Sequence, residues 1–181
     1  MPSVLLIPHP STPDAPVHRL VVSVATTPAR AVALSFRVEG DIDRLRIPPP
    51  AEPRRTDGLW RGTCFEAFLM AGDGPGYHEI NLSPSGAWAA YAFRGYRDGG
   101  TLDLKLDPEI VMQEAAGCLE LDAVIRAECL PRQRVGARLR LGLAAVLEDL
   151  DGRLTYWALR HAANRPDFHR ADGFALDLPR P

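Results

Sequence analysis

The sequence predicts an all-β fold: a single-domain, jelly-roll-like antiparallel β-sandwich of about nine or ten strands over residues 1–181. Three observations predict it. Short segments alternate apolar and polar residues with a period of two. Turn formers punctuate the whole length, with 17 prolines and 15 glycines. Helical periodicity is nearly absent. The 181 residues suffice for one sizeable core, and neither an internal repeat nor a domain boundary interrupts them.

A first strand is expected at about 18–26. "AVALSFRV" sets Val32, Leu34, Phe36 and Val38 on one face. "IPPPAEPRRTDG" (47–58) is a loop, because three consecutive prolines cannot sit in a central strand. Strands follow at 63–71, 76–82 and 87–94. "DPEIVMQEAAG" (107–117) has some helical character but reads better as strand or irregular structure. "CLELDAVIRAEC" (118–129) sets Leu119, Leu121, Ala123 and Ile125 against Glu120, Asp122 and Arg126. "ARLRLGLAAVLE" (137–148) alternates Leu139, Leu141 and Leu143 with Arg138 and Arg140. These are half-buried antiparallel strands. Strands at 153–159 and near 174–178 flank a long polar loop, "HAANRPDFHRADG" (161–173), of the kind that often carries function.

Hydrophobic residues make up 46% and charged residues 24%, as in ordinary soluble domains. The net charge of -2 and the lack of a basic run argue against nucleic acid. "VLLI" near the N-terminus is too short for a signal-peptide core, and no stretch approaches the ~20 apolar residues of a membrane span. A cytoplasmic location without membrane contact is expected. Cys64, Cys118 and Cys129 agree: an odd number without metal spacing reads as reduced thiols. Nothing in the sequence sets an oligomeric state.

The middle of the chain carries the chemistry. In 63–71 both faces are largely apolar, so the strand is expected to be central and covered on both sides. Glu66 is its single charge, on the face of Cys64, Phe68 and Met70. A carboxylate there must be paired, protonated or turned to a cavity. In 76–82, Tyr77, Glu79, Asn81 and Ser83 share a face, the composition of a polar-ligand site. After the turn Ser83–Gly86, Ala87, Ala89, Tyr91 and Phe93 alternate with Trp88, Ala90, Ala92 and Arg94. If the three strands form a meander, Glu66, Glu79, Asn81, Trp88 and Arg94 are candidates for one polar-aromatic face. The competing reading puts Trp88 in the core, pairs Arg94 with a surface acid, and ties Glu66 to an internal arginine, Arg94 or Arg160.

Glu66 and Glu79 also suggest a glycosidase pair, whose carboxyls stand ~5–5.5 Å apart for retention or ~6.5–9.5 Å for inversion. His161, Asp167 and His169 are of metal-ligating type, but their spacing matches no metal motif. Asp167 reads instead as a turn residue that orients His169 or caps backbone amides, with His169 at the mouth of a site. No phosphate loop, nucleophile elbow or Cys-His nucleophile pattern occurs.

"LWRGTCFEAFL", "GYHEINLSPSGAWAAYAFRGYRDG" and, far downstream, "LRHAANRPDFHRADGF" together resemble the bacterial DOMON-like domain proteins, and through them the family 9 carbohydrate-binding modules and the DOMON superfamily. The resemblance covers nearly the whole chain. It implies a jelly-roll-like sandwich whose concave face binds a sugar or a haem. In the carbohydrate-binding relatives a tryptophan precedes a strand whose glutamate meets sugar hydroxyls; Trp60 and Glu66 match that order. An asparagine and an arginine also contribute in that family; the resemblance implies Asn81 and Arg94 as their equivalents without a motif that fixes them residue by residue, and Trp157, Trp88 or Tyr77 would form a second aromatic wall. Those modules are secreted and appended to glycanases, whereas this chain is expected to stand alone without a signal. Haem-binding relatives use histidine and methionine; Met70 and His161 are the candidates, and without a Cys-x-x-Cys-His motif any haem would be non-covalent.

The resulting expectation is a non-catalytic binder of a small polar ligand, a sugar above all, with neither metal nor cofactor. Its site residues would be Trp60, Glu66, Glu79, Asn81, Trp88, Arg94, Trp157, His161 and His169. The alternatives are a haem carrier, a sugar-active enzyme, and an interaction module without ligand.

Overall fold

The computed structural model describes residues 2–12, 15–72, 74–131 and 138–178. It forms twelve strands among them: β1 (Ser3–Pro8), β2 (Val17–Thr26), β3 (Val32–Gly40), β4 (Cys64–Ala71), β5 (Tyr77–Leu82), β6 (Trp88–Gly95), β7 (Asp98–Thr101), β8 (Glu109–Ala115), β9 (Cys118–Ile125), β10 (Leu139–Glu148), β11 (Leu154–Ala158) and β12 (Leu176–Leu178). Helical structure is confined to four single 3-10 turns. The fold is an all-β antiparallel sandwich, as expected, with twelve strands rather than nine or ten.

The two additional strands are β1 and β7. All four residues of β7, Asp-Gly-Gly-Thr, are exposed. No hydrophobic alternation marks it, and it exists because a tight turn at Arg97 (φ 53°) folds it back on β6. In β1 burial does alternate, with Val4 and Leu6 inward and Leu5 and Ile7 exposed, but "VLLI" is apolar on both faces and shows no period-two pattern in sequence. The segment 109–115 is a strand, pairing with β9 from Glu109 to Ala115. The expected strand 137–148 starts at Leu139; Ala137 lies outside the described residues.

Hydrogen bonds link the strands in the order β7-β6-β5-β4-β10-β11-β1-β2-β3-β9-β8, with β12 on the free side of β10. The crossing from one layer to the other is β1. Its first half pairs with β2 (Ser3 to Leu6) and its end with β11 (Ile7 and Pro8). The core fills the space between the layers. Leu20, Val22, Phe36, Leu119 and Leu121 come from one side, and Phe65, Leu69, Ile80, Leu141 and Leu143 from the other. Phe36 and Phe65 meet at 5.0 Å.

The outer faces of the layers differ. On β2, β3 and β9 the outer face is a solvated charge lattice, with Arg37 pairing Glu39 (2.9 Å) and Glu120 (3.6 Å), and Arg19 pairing Glu39 (3.1 Å). On β4, β5, β6 and β10 it is roofed by loops, which explains why β4 is buried from Cys64 through Met70. One roof anchor is Phe174, stacked on Phe68 at 5.6 Å. It sits over Gly142, the cross-strand partner of Phe68. A Cβ at Gly142 would lie 2.5 Å from the Phe174 ring, which is itself buried and cannot withdraw. Gly142→Ala is therefore expected to destabilise the chain by about 1–3 kcal/mol through overpacking, read as a lower urea midpoint; an unchanged midpoint would contradict this anchoring.

Candidate functional site

The register of the meander determines which side chains share the roofed face. Glu66 lies between Ala144 of β10 and Asn81 of β5. Phe68 opposes Glu79, which opposes Tyr91 in turn; Tyr77 opposes Phe93. Cys64, Glu66, Phe68, Met70, Tyr77, Glu79, Asn81, Ala89, Tyr91 and Phe93 thus share one face. Small residues Gly142 and Ala144 leave the depth in front of β4 open.

This register corrects part of the expected site. Leu82 pairs with Trp88, and Asn81 with Ala89, so Trp88 points into the sandwich core. Sliding strand parity by one residue moves every side chain to the opposite face, and the turn after Leu82 sets the parity that puts Tyr91 and Phe93, not Trp88 and Arg94, beside Glu79. Arg94 is exposed and pairs with Asp98 at 2.9 Å. Trp157 is also core: it is buried, and its indole N–H donates to Thr155 at 3.2 Å. The aromatic that β11 offers to the site is Tyr156. His161 is bonded through Nε2 to the Ile7 carbonyl oxygen (2.9 Å) and does not line the cleft. Met70 is packed with Phe68, Tyr77 and Phe174, also away from the cleft wall.

The cleft itself has a volume of about 590 Å³, within the ~300–1,000 Å³ of small-molecule sites. Glu66 and Glu79 are on its floor. Trp60, Tyr91, Phe93, Tyr156, Phe168 and His169 form its walls, with Arg61 and Arg97 at the sides. Trp60 stands on a 3-10 turn (Leu59–Arg61) entered through Gly58 at φ 81°, a left-handed conformation that glycine adopts freely. The indole is 42% exposed and edge-on to Tyr91 at 6.0 Å. Tyr91 is fixed from behind: its hydroxyl donates to Asp57 (2.9 Å), which Arg55 also holds (3.1 Å).

The polar loop supplies the roof. Asp167 accepts from Tyr96 (2.8 Å) and Arg97 (3.1 Å) on the β6–β7 turn, and from the backbone N–H of His169 (3.3 Å). It is the orienting residue expected of "RPDFH". His169 packs edge-on against Phe68 and Phe93. The Arg97 backbone N–H donates to the Tyr77 hydroxyl (3.3 Å), which leaves that hydroxyl's proton for His169 Nδ1 (2.8 Å). This assigns the Nε2–H tautomer, directed at Glu79 Oε2 3.6 Å away. Asn81 donates to Glu79 Oε1 at 2.9 Å. Among the described residues Asn81 Oδ1 is buried without a partner. No group of three or more His, Cys, Asp or Glu that could hold a metal ion occurs among the described residues.

Glu66 is 3% exposed, and none of its hydrogen bonds or ion pairs is to a described residue, Arg94 and Arg160 included. Burial pushes its carboxyl well above the usual range, the neighbouring Glu79 pushes the same way, and Arg97 opposes both. Burial raises Glu79 to about 7, against the Asn81 hydrogen bond and Arg97. His169 is lowered to about 4 by burial and by Arg97, while Asp167 works the other way. The His169–Glu79 contact therefore involves a neutral imidazole and is not a salt bridge at neutral pH. Trp60, Glu66, Glu79 and His169 are brought together, with Asn81 directly behind. Arg97, Tyr91, Phe93, Tyr156 and Phe168 join them; the odd-numbered alternation of β6 was the signal that could have found Tyr91 and Phe93.

No family model and no curated protein matches the sequence. The fold is similar to a solved structure from Bacteroides uniformis described as a "putative carbohydrate-binding protein", with a TM-score of 0.72 over 95% of this chain and 83% of that one, at 15% identity. At that identity the likeness extends to the fold.

The pH dependence of stability follows from the buried groups. A carboxyl held above its ordinary 4.5 contributes fully below that value and loses its contribution as pH rises through the folded pKa. His169, depressed from 6.5 to about 4, contributes fully above 6.5 and loses its contribution as pH falls. Between 4.5 and 6.5 the slopes of the depressed His78, His161 and His169 oppose those of Glu66 and Glu79, so the Glu66 contribution is read from its substitution. The Tm of Glu66→Gln should exceed that of the parent by a margin that widens as pH rises above 4.5; a margin constant with pH contradicts it.

Proposed function

We propose that this protein is a non-catalytic carbohydrate-binding protein of DOMON-like type, with its ligand held in the roofed cleft over β4, β5 and β6. One observation carries the reading: Glu66 is buried without a partner among the described residues and faces a cavity. A buried polar group left unpaired costs about 1–3 kcal/mol, which a ligand's hydroxyls offset by bonding to it. The half-exposed Trp60 offers a flat apolar face for a sugar ring, beside Tyr91. Asn81 secures Glu79, and Arg97 and His169 close the cleft from the loop side. The similar fold of a protein described as "putative carbohydrate-binding" supports the reading. The three cysteines, all free thiols, support a cytoplasmic setting.

Glycan-array screening followed by calorimetry tests it. Trp60→Ala should weaken binding about tenfold through loss of the stacking surface. Glu66→Gln should weaken it by about tenfold or more with the β-sheet circular dichroism intact. A silent array, or binding indifferent to both substitutions, overturns the proposal.

A further inference from the structure

Glu66 and Glu79 are 3% and 5% exposed and diagonal neighbours across the β4–β5 pairing, ~7–8 Å apart at that spacing. Neither has an arginine or lysine at ion-pair distance among the described residues. The cation whose field reaches both is Arg97, and its guanidinium is committed to Asp167. Arg61 is an exposed wall residue. Glu79 otherwise meets the amide of Asn81 and a neutral His169. Glu66 has the Cys64 thiol near it and no hydrogen-bond donor among the described residues. Above the two acids the walls are the rings of Trp60, Tyr91, Phe93, Tyr156 and Phe168.

Two buried acids under an aromatic enclosure are deficient in positive charge. A neutral sugar would give them hydrogen bonds and leave them without the cation that lets a buried carboxyl ionise. An ammonium group brings three donors and the missing charge, and ring faces attract a cation by their quadrupoles. Resting on the sugar-binding reading above, we infer that the ligand is a sugar bearing a free, positively charged amine, whose ammonium is received between Glu66 and Glu79. Neutral and N-acetylated sugars lack that group. Because burial favours the protonated form of both carboxyls, binding of one ammonium releases one proton to solvent.

The test is calorimetry on the full chain at about pH 6, where a sugar amine is charged, in buffers of different ionisation enthalpy. The probes are glucosamine, N-acetylglucosamine and glucose, each also as its β-1,4 oligosaccharide. The free-amine probes are expected to bind about tenfold or more tightly than the other two. The heat should vary with buffer in the sense of proton release, and Glu79→Gln should abolish the preference while circular dichroism stays unchanged. Equal or tighter binding of the acetylated or neutral probes overturns this inference and leaves sugar binding standing. Silence on all three also overturns it, and the sugar reading falls with it only if the wider glycan array is silent too.

Discussion

The burial of the Glu66 carboxyl without a countercharge is the constraint from which the rest of the site follows. The strand that carries it has neighbours on both edges, β5 and β10, and cover on both faces. Glu66 opens onto the cleft alone, and the nearby donors are engaged elsewhere: the Asn81 amide N–H with Glu79, and Arg97 with Asp167. Protonation is the available relief, because an isolated buried charge costs more than its neutralisation. Glu79 beside it strengthens that preference.

The surrounding residues maintain this condition. Each roof segment has its own anchor: Phe174 over Gly142 and Phe68, Asp167 on the β6–β7 turn, Asp57 behind Tyr91. These anchors are stacked rings and carboxylates with two or more donors, arrangements that fix geometry more tightly than single exposed contacts. The two-donor carboxylates of the opposite layer, Glu39 and Glu120, hold strands β2, β3 and β9 together and fasten no roof. That layer's outer face pairs arginines with glutamates in solvent, where such pairs add little stability. The two layers share a core and divide the labour: one is an ordinary solvated sheet, and the other carries a cavity.

Much of this was legible in the chain. Period-two alternation located the strands that face water on one side, because their two faces differ in chemistry. The doubly apolar run around Glu66 marked the central strand for the converse reason. Legibility failed where structure depends on pairing and not on local pattern. β7 is two glycines between polar residues, made a strand by the turn at Arg97. Trp88 and Arg94 are candidates for the face of Glu79 in sequence, beside the competing reading of core and surface pair, because parity across a turn is invisible in composition; the register of Trp88 with Leu82 takes it to the core, and Arg94 pairs with Asp98 in solvent. Trp157 and Tyr156 exchange roles for the same reason. The contribution of "RPDFH" was readable as a turn with an orienting aspartate, but its target on the distant β6–β7 turn was not.

The most direct measurement is a carboxyl 13C NMR titration of Glu66 in the ligand-free protein, assigned by comparison with Glu66→Gln. A buried acid without a countercharge must titrate well above 4.5, and Glu79 near 7. A Glu66 midpoint at or below 4.5 would mean that an internal cation already holds the carboxylate, making it a structural residue and not the receiving group of a binding cleft.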